Sequence, residues 1–166
     1  MTRRNFLLCL LLLASLAPLQ VNAVPKNDQA FGDWKAFCGK NEEGVEACYV
    51  FQSLLLKQKD KQVPLLYVAA GYPPKQDKLI LRFRVPLGVL LPAGITFRVD
   101  ERKAAQYGYS YCDKSGCWAN MTLGDDELWA LKAGNKAFVT FTDLHNKGFA
   151  IPVSLKGFTA AVNSLK

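Results

Sequence analysis

Four of the five cysteines in this chain of 166 residues have the spacing of disulfide partners. Nine residues separate Cys38 from Cys48, and four separate Cys112 from Cys117. Of the three pairings that four cysteines allow, Cys38–Cys48 and Cys112–Cys117 are favoured, because each pair is close along the chain and flanked by strand-like sequence. A metal site is the alternative, but zinc ribbons use two short paired spacers that this chain lacks. We therefore expect two disulfides and no metal or other cofactor.

The beginning of the chain has the three parts of a secretory signal peptide. Two arginines come first, a short apolar run that includes Cys9 follows, and small residues end the pattern at Ala23. The apolar run is shorter than the roughly 20 residues that a membrane-spanning helix needs, although a retained anchor is the alternative. We predict that residues 1–23 are cleaved and that residues 24–166 form one domain without a transmembrane segment. We expect this domain to be periplasmic, secreted or associated with the outer membrane, where oxidising conditions let cysteines pair.

Side chains that enzymes use for catalysis are sparse in this sequence. The single histidine, His145, lies in a polar turn, and the chain has no Gly-x-Ser-x-Gly elbow, phosphate-binding glycine loop or His-Glu-x-x-His helix. The run Asp125-Asp126-Glu127 points in different directions, whereas a glycosidase needs two carboxylates facing one cleft. We predict no catalytic residues and a non-enzymatic protein. The alternative is a periplasmic hydrolase of unfamiliar type that uses scattered carboxylates such as Glu101, Asp113 and Asp143.

Three arginines form a candidate binding patch if two neighbouring strands pair as a hairpin. Residues 79–85 and 95–100 both alternate apolar and polar side chains. Pairing them sets Arg82 opposite Arg98, with Arg84 beside them. Like charges directly across a sheet repel each other, so such a cluster needs an anionic neighbour or ligand. An ordinary solvated face is the alternative.

A row of aromatic residues is the second candidate for binding. Alternation along one predicted strand places Tyr107, Tyr109 and Tyr111 on the same face, and Trp118 follows in the next strand. Aromatic faces stack on flat partners such as sugar rings, so these four side chains could form a binding platform. Packing in the core is the alternative.

Short segments with a period of two, separated by turn residues, indicate about nine strands. Residues 125–132 place acids first and a lysine last, which suits a helix dipole, and apolar residues at near-helical spacing in 155–166 predict a C-terminal helix. Residues 86–94 form an unusually apolar loop, which we expect to fold over one end of the core. The chain is therefore predicted to be mainly β, either a β-sandwich or a closed barrel-like sheet, with two short helices.

The charge of the chain is modestly basic. Loss of two arginines with residues 1–23 leaves 19 basic and 14 acidic residues, so the net charge falls from +7 to +5. No nucleic-acid-binding motif accompanies this charge, and a nucleic acid is not an expected partner. We expect an exported binding factor whose partner is a component of the bacterial envelope or of a host surface. An inhibitor or a chaperone-like partner protein is the other alternative.

A series of short motifs runs through residues 24–166 in a definite order. They are Phe31-Gly32-Asp33-Trp34 leading to Cys38, Cys48-Tyr49-Val50-Phe51-Gln52, Pro86-Leu87-Gly88-Val89, Gly94, Asp100, Cys112, Gly116-Cys117, Ile151-Pro152-Val153-Ser154-Leu155-Lys156-Gly157-Phe158 and Ala160-Ala161. Together with the four-cysteine frame, this order resembles the invasion-associated locus B family of exported bacterial proteins.

The resemblance implies a compact, β-sandwich-like domain in the periplasm, the outer membrane or the medium. Members are named for a role in the invasion of host cells by pathogens, so the resemblance also implies a host-interaction factor. It offers no catalytic residues to carry over. The shared positions imply structural roles: Trp34 anchors the core, Gly88 and Gly94 form turns, and Gly157-Phe158 packs a helix against the sheet.

Overall fold

A computed structural model describes residues 24–40, 44–58 (the backbone alone at Gln58) and 61–166. The predicted signal peptide, residues 1–23, lies outside the described residues. The described strands are β1 (Ala30–Phe31), β2 (Trp34–Lys40), β3 (Glu46–Gln58), β4 (Lys61–Gly71), β5 (Ile80–Val85), β6 (Ile95–Val99), β7 (Ala105–Tyr107), β8 (Tyr109–Asp113), β9 (Gly116–Thr122), β10 (Lys136–Thr142) and β11 (Gly148–Ser154). The helices are α1 (Asp125–Ala133) and α2 (Phe158–Asn163), and a turn of 3-10 helix spans Leu91–Ala93.

The strands form two antiparallel sheets that face each other. The larger sheet has seven strands in the order β1-β2-β3-β4-β5-β9-β8, and the smaller has four in the order β11-β10-β6-β7. Because the described strands make two separate sheets, the predicted β-sandwich is confirmed and the barrel-like alternative is wrong.

The core lies between the two sheets and consists of the inward side chains of both. Phe83 of β5 and Phe97 of β6 are buried, and their ring centroids lie 5.5 Å apart across the sandwich. Each such side chain contributes roughly 1.5–3 kcal/mol by leaving water. Trp34 closes one end of the core: its indole N–H donates to the carbonyl of Ser154 at 2.9 Å, and its ring centroid lies 5.0 Å from that of Phe158 in α2.

The predicted hairpin between residues 79–85 and 95–100 is wrong. β5 pairs with β4 and β9, whereas β6 pairs with β10 and β7, so the two segments lie in different sheets. The apolar loop of residues 86–94 crosses from one sheet to the other, and its buried Val89 forms an isolated antiparallel β-bridge with Asp143. Two strands that each have one apolar face fit equally well side by side or across a core, and alternation alone does not distinguish these arrangements.

Both predicted disulfides are confirmed, and both lie in the larger sheet. Cys38 and Cys48 are directly opposite each other on β2 and β3, and Cys112 and Cys117 are directly opposite each other on β8 and β9. From the length of the loop that each bridge closes, they stabilise the fold by about 3 and about 2 kcal/mol, respectively.

Both predicted helices are present, although α2 starts at Phe158 rather than at residue 155. The first turn of α1 carries Asp125, Asp126 and Glu127, as the dipole argument predicts. The start of α2 depends on Gly157, because a Cβ there would overlap the carbonyl oxygen of Phe31, and its φ of 86° also favours glycine. The first and last segments of the described domain therefore meet backbone to backbone.

Two central strands of the larger sheet extend beyond their neighbours as a two-stranded ribbon. β2 accompanies β3 only as far as Phe51, and β5 accompanies β4 only from Tyr67 onward. Beyond these points the ribbon exposes three aliphatic side chains, those of Leu55, Leu56 and Val63.

None of the helices in the described ranges is long and apolar enough to span a membrane.

Candidate binding face

The outward surface of the larger sheet carries a continuous row of aromatic and arginine side chains. It arises because β2, β3, β4, β5, β9 and β8 each turn alternate residues away from the core. We call this surface the aromatic–arginine face, and its members are Phe37, Tyr49, Phe51, Tyr67, Arg82, Arg84, Tyr111 and Trp118.

The rings of this face form a chain that crosses the sheet. Successive ring centroids are 5.3 Å apart for Phe37–Tyr49, 6.1 Å for Tyr49–Phe51, 5.6 Å for Phe51–Tyr67, 6.3 Å for Tyr67–Trp118 and 6.1 Å for Trp118–Tyr111. These distances fall within the range of favourable aromatic pairs, so each ring helps to hold its neighbour in place. The rings at the two ends remain open to solvent, with exposed fractions of 44% and 45%.

Two arginines from β5 stand among the rings. The guanidinium carbon of Arg84 lies 5.1 Å from the ring centroid of Tyr67 and 5.4 Å from that of Trp118. Arg82 lies 5.2 Å from the Trp118 centroid, and its Nη2 donates to the hydroxyl of Tyr111 at 3.2 Å. In the part of the chain that is described, neither guanidinium has a carboxylate within 4.0 Å. The rings therefore orient both cations while leaving most of their N–H donors without a charged acceptor.

An open groove of about 500 Å³ lies beside Arg82 and Trp118. Its floor is low because Ala47, Ala69 and Gly71 occupy outward positions of β3 and β4. Taller side chains form its walls, among them Tyr49, Tyr67, Tyr72, Arg82 and Trp118. A groove of this volume, with apolar walls and a few polar groups, has the size and character of a small-molecule or oligomer binding site.

The charge of the aromatic–arginine face comes from its arginines. Burial, together with a hydrogen bond to Tyr49, raises the pKa of Tyr67 well above 10.0, so this hydroxyl stays neutral. Asp113 contacts the face through its carboxylate, and hydrogen bonds from Ser115 lower the pKa of this group. Its oxygens accept from the Ser115 hydroxyl and backbone N–H and from the indole N–H of Trp118 at 3.2 Å. Asp113 thus fixes the edge of the Trp118 ring.

The predicted patch of three arginines is divided between the two faces of the sandwich. Arg82 and Arg84 lie on the aromatic–arginine face, whereas Arg98 of β6 lies on the outward surface of the smaller sheet, over the ring of Phe138 at 4.0 Å. Its Nη1 donates to the carbonyl of Asp100 and lies 3.9 Å from a carboxylate oxygen of Glu101. The grouping was wrong because it depended on the hairpin that the structure replaces with a crossing loop.

The predicted tyrosine row is divided as well. Tyr107 belongs to β7 in the smaller sheet, Tyr109 faces inward on β8, and only Tyr111 faces outward beside Trp118. The chain passes from one sheet to the other at Gly108, and an irregularity in the pairing between Tyr109 and Tyr111 then turns these two side chains to opposite faces of β8. Burial raises the pKa of Tyr109 to about 12, and its hydroxyl has no hydrogen-bond partner among the described residues.

Sequence reasoning missed four aromatic members of the face, namely Phe37, Tyr49, Phe51 and Tyr67. A signal for the first two was present. Directly paired cysteines occupy the same face of a hairpin, so a Cys38–Cys48 disulfide places their neighbours Phe37 and Tyr49 together on the opposite face. Which of those faces is outward depends on the partner sheet, and no local pattern gives that information.

The acidic residues considered for catalysis lie in turns, at the end of β8 and at the start of α1. Asp143 accepts backbone N–H groups from Lys147 and His145, and these bonds lower its pKa. Glu101 is almost fully exposed beside Arg98. The described residues that line the groove include no carboxylate, and no group of three metal-ligating side chains occurs in the described ranges.

Comparison with known proteins identifies the relatives of this chain. Residues 34–166 match the sequence model of the family described as invasion associated locus B (IalB) protein. Two curated relatives, both named invasion protein B homolog, come from Brucella abortus strain 2308 and from Brucella abortus biovar 1 strain 9-941. Each is 29% identical over 142 residues, which cover 83% of this chain and 78% of the relative. The crystal structure of invasion associated protein b from Bartonella henselae shares the fold, with a TM-score of 0.71 and 23% identity over 82% of this chain and 92% of that one.

Proposed function

The chain belongs to the invasion associated locus B family, and we propose that it is an exported, non-enzymatic factor that binds the bacterial envelope or a host surface. The aromatic–arginine face is the proposed binding site. A contribution to the invasion of host cells is part of this proposal, and it is supported by the names of the Brucella and Bartonella relatives.

The observation that carries the proposal is the combination, on one face, of half-buried aromatic rings that line an open groove and arginines that have no carboxylate partner in the described ranges. Arg82 and Arg84 are held by Trp118 and Tyr67, yet among the described residues no carboxylate neutralises them. Aromatic and arginine side chains are the residues most often responsible for affinity in protein interfaces. What the groove offers is flat surface and fixed N–H donors, which bind and orient a partner.

Matched tryptophan variants test this proposal. Trp118→Ala removes the ring that both arginines share, whereas Trp129→Ala removes a ring on α1 that is 60% exposed and lies outside the groove. Binding of fluorescently labelled protein to host cells and to isolated envelopes would be measured by titration. We expect Trp118→Ala to weaken binding at least about tenfold, as for a central interface aromatic, and Trp129→Ala to leave it unchanged. Equal binding by the two variants would contradict the proposed site.

Export is a separate part of the proposal with its own test. The signal-like pattern of residues 1–23 and the two disulfides support it, because disulfides persist in oxidising compartments. Mass spectrometry of the protein from its native bacterium should find a chain that begins at Val24 and has four oxidised cysteines. A full-length chain recovered from the cytoplasm would contradict export.

A further inference from the structure

We infer that the ligand of the aromatic–arginine face is an anionic saccharide, a chain of sugar units that carry carboxylate or sulfate groups. This inference rests on the proposed function, since it names the partner of the same face. It depends on three features of that face: the row of aromatic rings, the free donors of the arginines and the shape of the groove.

The rings provide stacking surfaces of the kind that sugars need. The face of an aromatic ring is electron-rich, and the C–H side of a sugar ring is a flat, weakly positive, apolar surface that can lie on it. Trp118 and Tyr67 line the groove, and the ring chain continues across six strands, which are about 4.8 Å apart. This row is long enough for several sugar units, so it fits a chain better than a single monosaccharide.

The arginines supply the preference for negative charge. A guanidinium has five N–H donors in a plane, and stacking on a ring leaves the edges of that plane free. Arg82 uses one donor for the hydroxyl of Tyr111, and Arg84 lies between two rings. Planar donors of this kind pair with the two oxygens of a carboxylate or sulfate. Lys35, also outward on β2, adds positive charge to the same side of the sheet.

The shape of the site favours a saccharide chain over a lipid surface. The groove is a depression over Ala69 and Gly71 with raised aromatic walls, so a flat bilayer would not reach its floor. The exposed aliphatic side chains that would enter a membrane interface lie elsewhere, on the ribbon of β3 and β4. A single-stranded nucleic acid also combines flat rings with negative charge, and it therefore has to be a competitor in the test.

Calorimetric titration of the processed protein tests the inference with defined probes. The probes are heparin oligosaccharides for sulfate, hyaluronan oligosaccharides for carboxylate alone, neutral cello-oligosaccharides, vesicles rich in phosphatidylserine and a single-stranded DNA oligonucleotide. We expect one or both anionic saccharides to bind at least about tenfold more tightly than the neutral one, and we expect the affinity to fall with added salt. Tighter binding of the vesicles or of the oligonucleotide than of every saccharide would overturn the inference.

Arginine variants locate the binding. Arg82→Gln with Arg84→Gln removes both arginine charges of the face, whereas Arg98→Gln removes one cation from the opposite surface. The double variant should lose at least about tenfold in affinity for the anionic saccharide, and Arg98→Gln should lose less than about twofold. Arg84→Lys keeps the charge but loses the planar donors, so its loss of affinity should lie between those of the double variant and Arg98→Gln. Equal losses in the double variant and Arg98→Gln would overturn the inference.

The same samples separate this inference from the proposed function. If no anionic saccharide binds while Trp118→Ala still weakens attachment to host cells or envelopes, the inference is wrong and the binding face stands. If Trp118→Ala changes neither attachment nor saccharide binding, the proposed function is wrong as well. Removal of uronate and sulfated chains from host cells with polysaccharide lyases should abolish the attachment that depends on Trp118.

Discussion

The two outward surfaces of the sandwich place arginine over aromatic rings in opposite ways. On the smaller sheet, Arg98 covers Phe138, donates to the carbonyl of Asp100 and lies beside Glu101. On the larger sheet, Arg82 and Arg84 also lie over rings, at 5.2 Å and 5.1 Å from the ring centroids, but no described carboxylate lies within 4.0 Å of either. The same pair of residue types therefore closes a turn on one surface and leaves donors for a partner on the other.

The comparison teaches that stacking alone does not identify a binding site. A guanidinium whose donors are used within the protein contributes to stability, whereas one held in place with free donors is prepared for an external acceptor. A stabilising arginine and a binding arginine differ in whether acceptors within the protein use their N–H donors. The carbonyl of Asp100 is such an acceptor for Arg98, and the carboxylate of Glu101 lies beside it. Three predictions test whether the two surfaces differ in their chemistry or in the stability of the sheets that carry them.

The largest effect is expected in the shared core. Phe83→Ala removes the ring that contacts Phe97 across the sandwich, and it should lower the free energy of unfolding by about 3–5 kcal/mol. Because one core supports both sheets, unfolding in urea should remain a single transition by far-ultraviolet circular dichroism and by tryptophan fluorescence. Phe37→Ala, at an exposed position, should cost about 1 kcal/mol or less. Separate transitions for the two signals would show that one sheet is weaker than the other.

An intermediate effect is expected at the disulfides, both of which stiffen the larger sheet. Replacing Cys112 and Cys117 by alanine should cost about 2 kcal/mol, and replacing Cys38 and Cys48 by alanine should cost about 3 kcal/mol. The Cys112–Cys117 disulfide joins the strands that carry Tyr111 and Trp118, so its loss should also weaken binding to host cells. This binding is measured at a temperature well below that of the unfolding transition.

The second bridge serves as the control for that measurement. The Cys38–Cys48 disulfide is more stabilising but joins β2 and β3, away from Trp118. Its removal should therefore change the fluorescence of Trp118 less than removal of Cys112–Cys117 does. A larger effect of the Cys38–Cys48 bridge on binding would move the centre of the site toward Tyr49 and the end of the groove lined by Cys48.

The smallest effect is expected in the dependence of stability on pH. Backbone N–H groups of Asn135 and Lys136 hold the pKa of Asp100 below 3.8 in the folded state. A carboxyl with a lowered folded pKa contributes stability above its unfolded pKa, and that contribution is lost as the pH falls through the folded pKa. Asp100→Asn should therefore flatten the loss of stability below about pH 4 without changing ligand binding.

Asp113 provides the matching variant on the other surface. Its pKa is also lowered, in the first place by the Ser115 hydroxyl, so Asp113→Asn should flatten the acid limb in the same direction. Because Asp113 also accepts the indole N–H of Trp118, this variant should shift the Trp118 fluorescence, which Asp100→Asn should not do. Identical fluorescence changes in both variants would contradict the different roles assigned to the two surfaces.

Local features of the sequence were sufficient for the disulfides and for most of the elements, although about nine strands were predicted and eleven are described. The period of two around Phe83 and Phe97 predicted two strands with apolar faces, and the short spacers predicted Cys38–Cys48 and Cys112–Cys117. Acids before Leu128 and a lysine after it predicted α1. Each of these inferences depends on residues that are close together along the chain, where backbone geometry fixes the relation between them.

The arrangement of strands and the composition of the site could not be obtained in this way. Trp118 meets Arg82 and Arg84 only because β9 lies beside β5, a pairing that skips β6, β7 and β8. Tyr107 and Tyr109 separate because the chain changes sheets at Gly108, although the alternation of residue types continues unbroken. The order of the strands depends on how both sheets together bury their apolar side chains. The sequence of a single segment therefore does not predict it.

The contact between the two ends of the described domain sets the order in which it can be completed. Phe31 and Gly157 meet backbone to backbone, and Trp34 packs on Phe158, so the first strands lack their final neighbours until the last residues have been synthesised. Contacts between such distant segments make folding slow, because a long loop must close before they form. The export that we propose would benefit from this delay, because the chain cannot complete these contacts until its C-terminal residues have reached the far side of the membrane.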